Sequence, residues 1–230
     1  FVDDVNGIAY DLEANRIPEL LHPINELSRG VADVTKHMKG FLDMQAAIDS
    51  PEADAVKAFV GSLKPDQVKA FFEDMSLFGN YSHGTHGAGI ALAGNPHARL
   101  LAARLTFGWR LIPETPTVER AKREAQMYKD TVEYMKKAGV RVVNMSWGGS
   151  RGDIERELEA NGVGATPEER AQLSRDIFKI GYDGLVDAIK SAPGILFVCA
   201  AGNADNDVLF SEMMPSGIDA PNVLVVGAVD

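Results

Sequence analysis

Three short stretches hold the residue types that could do chemistry. His83-Gly84-Thr85-His86 sets two imidazoles three positions apart. Ser146-Trp147-Gly148-Gly149 follows one apolar run, and Ala200-Ala201-Gly202-Asn203 closes another. An imidazole carries a proton near neutral pH and can ligate a metal. A carboxamide can donate to an oxygen that gains charge, and an extended backbone can accept a peptide as an added strand. Each stretch also has a plainer reading. The His83/His86 pair suits a solvated surface, and as a zinc site it lacks a third ligand nearby, His97 following Asn95-Pro96 in what reads as a loop. The run Gly148-Gly149-Ser150-Arg151-Gly152 fits neither the dinucleotide fingerprint nor the P-loop. Alone, Ala-Gly-Asn is a turn signal.

Such groups need elements to hold them. Thr115-Pro116 supplies an N-cap and a first-turn proline. Val118, Ala121, Ala125, Tyr128, Val132 and Met135 then form one helical stripe that Gly139 ends. A buried strand follows over 140–146. Thr166-Pro167-Glu168-Glu169 has capping-box spacing and opens a helix through Ile177, Ile180, Leu185 and Ile189 that stops near Pro193-Gly194. Strands are predicted over 195–201 and 222–229, and another within 98–107. This alternation predicts an α/β fold, a parallel β-sheet with helices on both faces. Sites in such sheets gather at the carboxyl ends of the strands.

Residues 17–78 differ in kind. They carry helix-start signals at Ile17-Pro18-Glu19, Ser50-Pro51-Glu52 and Lys64-Pro65-Asp66, with apolar residues at helical spacings. They read as a helical subdomain inserted into a domain made of 1–16 and 79–230.

The chain has 230 residues, 45% hydrophobic, enough for a large core. Its net charge of −10 repels phosphate backbones, so nucleic acid is not an expected partner. Its one cysteine, Cys199, lies in an apolar run and reads as a buried, inert thiol. No apolar stretch is long enough to span a membrane. The opening Phe1 and the close on an apolar run read as the ends of a fragment.

Taken in order, "SHGTHGAGI", "VVNMSWGG" and "FVCAAGNADND" resemble the motifs of the subtilisin-like serine proteases, the subtilases. "MPSGIDAPNVLVVGAVD" resembles the strand segment that follows them, and "FVDDVNG" a stretch between the family's aspartate and its histidine motif. The resemblance covers the chain's start and roughly 81–150 and 193–230. It implies a serine endopeptidase acting on peptides or proteins, with His83 as general base and Asn203 as oxyanion donor. Ser146, Trp147, Gly148 and Gly149 become the segment that pairs with substrate, Trp147 altering a subsite wall. His83 is then expected at a helix start, where the macrodipole favours its neutral form. Gly84, Gly87 and Gly89 are expected to let that helix pack closely, with His86 packed or hydrogen-bonded. The resemblance also implies secretion. No cofactor is required for the chemistry, though a structural calcium could draw on Asp3, Asp4, Asp205 or Asp207.

The family's triad runs Asp, His, Ser along the chain. Asp3 and Asp4 have only Phe1-Val2 before them, and Gly-Thr-Ser occurs nowhere between residues 1 and 230. The aspartate and serine are expected outside this chain, and the 230 residues alone are expected to be inactive. The alternative is a non-catalytic peptide-binding member of the same fold.

Overall fold

Burial alternates along three short apolar segments, and that alternation builds the central sheet. The computed structural model describes residues 6–21, 31–203 and 211–227. The chain divides into two compact units, one of Phe1–Leu20, Ala98–Thr106 and Ile112–Asp230, the other of Leu21–His97 and Phe107–Leu111. The histidine motif falls within the second, helical unit.

The first unit carries β1 (Asn6–Tyr10), β2 (Arg16–Ile17), β3 (Leu101–Leu105), α4 (Val118–Lys137), β4 (Val142–Met145) and β5 (Gly149–Ser150). It continues through α5 (Arg151–Ala160), α6 (Pro167–Lys190), β6 (Leu196–Ala200), β7 (Met213–Met214) and β8 (Val223–Val226). Strands β4, β6 and β8 pair in parallel in that order, with Met145 opposite Cys199 and Cys199 opposite Val225. A second sheet has the order β2-β1-β3, with β1 and β3 parallel. Val143, Met145, Phe197 and Cys199 point into a core shared with Tyr128, Val132 and Met135 of α4 and Leu185 and Ile189 of α6. Among the described residues the sheet's other face is open, with Val142, Leu196, Leu224 and Val226 exposed. Burying a side chain such as Phe197 contributes about 1.5–3 kcal/mol, so the covered face holds this unit together.

Local signals set the helix ends. Thr117, two residues beyond the expected cap, accepts from the Arg120 N–H and starts α4. Gly139, at φ +74°, turns the chain out of it. Thr166 caps α6 as expected, but Glu169 reaches back to the Ala165 N–H rather than to that of Thr166. Helix α5 lies outside the elements that the sequence pattern predicts. Ser150 caps it and Asp153 accepts the Ser150 N–H, a complete capping box within the glycine-rich run. Leu158 then docks on Ala121 and Ile177. Close packing of α4 on α6 rests on Gly184, where a Cβ would stand 2.4 Å from that of Ala125. The buried Asn222 amide donates to the carbonyls of Ile189, Ala192 and Ile195, fastening β8 to the end of α6.

The helical unit holds α1 (Val31–Gln45), α2 (Pro51–Ser62) and α3 (Pro65–Leu92). Ser50 caps α2 and Pro65 opens α3, as the sequence signals predict. The signal at Ile17-Pro18-Glu19 opens no helix, since residues 16–17 form β2 instead. Val34, Phe41 and Met75 centre the unit's core. His37, also buried, stacks on Phe59 with ring centroids 4.4 Å apart.

Candidate active site

Parallel pairing of β4 with β6 decides what meets at their carboxyl ends. The register sets Met145 against Cys199, so 146–148 and 201–203 leave the sheet from the ends of two adjacent strands. Ser146 and Gly148 are exposed, while Trp147 turns inward and stacks on Tyr128 with centroids 5.9 Å apart and planes 8° apart. Trp147, half-buried, packs against the core, because the period-2 alternation of β4 continues through it. The Ser146 hydroxyl lies 2.9 Å from the Asn144 amide that donates to it. Gly149 and Ser150 pair antiparallel with Met214 and Met213.

Gly202 has φ +104°, a conformation that glycine adopts readily, and it swings the chain out after β6. Asn203 follows, exposed, and no described residue hydrogen-bonds its carboxamide. Gly202 and the 148–150 segment share β7 as a neighbour: a Cβ at Gly202 would stand 3.2 Å from the Met213 Cε, and one at Gly148 would stand 3.0 Å from the Met214 carbonyl oxygen. An unengaged amide donor and an exposed extended segment thus share one rim of the first unit. Buried beneath it, Cys199 is 1% exposed, and burial pushes its thiol up to about 11.

His83 stands elsewhere in the chain's organisation. It lies well inside α3, exposed, in the helical unit. The expected helix start at the motif is corrected: nothing between Asp66 and Asn95 is proline, so the helix begun at Pro65 runs on through it. The macrodipole argument fails with it, since that effect is confined to the first and last turns. His86 is exposed rather than packed, and no atom lies within 4 Å of a Cβ built at Gly84 or Gly89, so neither glycine serves a close approach. His83 borders an open depression of about 340 Å³ in the helical unit, with Phe41 and Met75 at its base and Ser76 and Asn80 beside it. Asn80 donates to the carbonyls of Phe107 and Gly108, each at 3.3 Å.

Asp3, Asp4, Asp205 and Asp207 lie outside the described residues. Among the described residues no group of three or more His, Cys, Asp or Glu side chains could hold a metal ion. No described helix is long and apolar enough to cross a membrane.

Sequence reading missed Met213, which links Gly202 to the 149–150 strand, and Arg151, which opens α5. The local signal in that region is the capping spacing Ser150-x-x-Asp153. No curated protein and no solved structure matches the chain. A family model described as the subtilase family matches residues 72–230, which is more than half of the chain. The chain belongs to the subtilase family, a family of serine peptidases.

Proposed function

We propose that this chain is the part of a subtilisin-type serine endopeptidase that binds the peptide and stabilises the oxyanion. The observation that carries the reading is the exposed, unengaged Asn203 carboxamide at the rim where β4 and β6 end. In this reading the backbone of Ser146–Gly149 pairs with the peptide, and Asn203 donates to the carbonyl oxygen as the carbon becomes tetrahedral. A donor already oriented toward developing charge stabilises the transition state more than the ground state. His83 takes the proton from the attacking serine hydroxyl and returns it to the leaving amine. Secretion, common in the family, belongs to the same reading.

The test separates the two histidines in the protein at its natural length. His83→Ala should lower kcat by at least ~10²–10⁴-fold, while His86→Ala keeps most of the activity. Equal losses in both variants would overturn the assignment of His83. A non-catalytic peptide-binding member of the fold would bind peptide through Ser146–Gly149 but cleave nothing, and His83→Ala would leave its binding unchanged.

A further inference from the structure

We propose that Arg151 is a positioning residue for the peptide-pairing segment, holding Gly148–Ser150 against β7 by gripping Glu212. This rests on the reading of Ser146–Gly149 as the segment that pairs with substrate.

The grip has two points. The Arg151 N–H donates to the Glu212 carbonyl at 3.2 Å, and the Arg151 Nε donates to the Glu212 Oε2 at 2.5 Å. The guanidinium is itself anchored, with Nη1 donating to Glu155 Oε2 at 2.7 Å and to Ser174 Oγ at 3.2 Å. Ser174 is wholly buried, and its hydroxyl donates to the Ala171 carbonyl at 3.0 Å, so it is a fixed post in α6. Glu212 has φ +48°, in the left-handed region that costs a residue with a side chain free energy unless its surroundings hold it there. That turn delivers the chain into β7, whose Met213 and Met214 pair with Ser150 and Gly149. The Met214 carbonyl oxygen is also the atom that a Cβ at Gly148 would meet at 3.0 Å.

The segment is therefore pinned on both sides, by the Trp147 stack on Tyr128 and by Arg151 through Glu212. Lysine has one compact charged group in place of a planar fork, so it cannot serve Glu212, Glu155 and Ser174 together in this geometry. An added-strand peptide draws affinity from successive backbone bonds, so loose positioning should harm long peptides more than short ones.

The experiment has two arms. In the full-length protein, kcat/KM is measured for two fluorogenic peptide anilides, one with a single residue on the acyl side and one with four. Arg151→Ala should lower the long-to-short ratio by ~10-fold, and Arg151→Lys and Glu212→Gln by less, an effect attributable to lost positioning of a bound strand. A ratio unchanged in Arg151→Ala, with both substrates equally affected, would mean a merely structural role and would overturn the proposal. The second arm follows amide exchange in the 230-residue chain. Arg151→Ala should speed exchange at 149–151 by ~10-fold while β4 and β6 keep their protection, and no change at 149–151 would also overturn it. If the wild-type protein cleaves neither anilide, the peptidase reading fails on its own, and the exchange arm still decides whether the grip exists.

Discussion

Gly202 rests against Met213: a Cβ built on Gly202 would stand 3.2 Å from the Met213 Cε, on a backbone whose φ is +104°. The backbone conformation thus disfavours a side chain at the position that leads to Asn203, and the flexible end of Met213 would have to give by a few tenths of an ångström. Gly202→Ala should cost about 1–3 kcal/mol from the backbone conformation. It should also lower turnover, because relief of the backbone strain at residue 202 moves Asn203. Urea unfolding midpoints and peptidase kinetics on the same preparation check both effects.

If Asn203 donates to the oxyanion as proposed, Asn203→Ala should lower kcat by ~10²–10³ with little change in KM, the magnitude for loss of one oxyanion donor in a subtilisin. Asn203 is exposed and no described residue bonds its carboxamide, so the thermal midpoint should stay near that of the wild type. A fall in the midpoint comparable to that of a core variant would show that the side chain is structural.

Leu158, wholly buried, fixes α5 on Ala121 of α4 and Ile177 of α6. Leu158→Ala should destabilise the protein by about 2–5 kcal/mol, the range for a buried leucine that leaves a cavity. Equilibrium denaturation in urea measures it.

Burial raises the carboxyl pKa of Glu157, and that of Glu124 against the partial relief of Arg120 at 3.0 Å. A carboxyl raised by the fold holds its proton more tightly when folded. Its contribution to stability is therefore fully present below the unfolded value and is lost as pH rises through the folded one. Glu157→Gln should be more stable than wild type at pH 8, with the gap closing toward pH 4. Unfolding curves across that range test the sign.

The Cys199 thiol is pushed up to about 11 and buried, so little reactive thiolate exists at neutral pH. Iodoacetamide should leave the folded protein unlabelled at pH 7.5 and label one thiol after unfolding, as mass spectrometry would show.

Much of the scaffold was legible from the chain because it depends on near neighbours. Ser50 and Thr166 accept from N–H groups three residues on, and the stripe from Ala121 to Met135 repeats at helical spacing. The apolar runs of β4, β6 and β8 and the buried Cys199 were local too. The three ordered motifs also sufficed to name the family. Tertiary structure alone decided which of those residues meet. The register of β4 on β6 sets Met145 opposite Cys199, although more than fifty residues separate them along the chain. Packing on Tyr128 turns Trp147 inward, and Arg151 reaches Glu212 across 61 residues. Helix propagation past four glycines carries His83 far from any helix end, because the intrahelical bonds continue where no proline interrupts them. Those outcomes depend on partners distant in sequence or on a whole helix, and motif spacing carries no record of either.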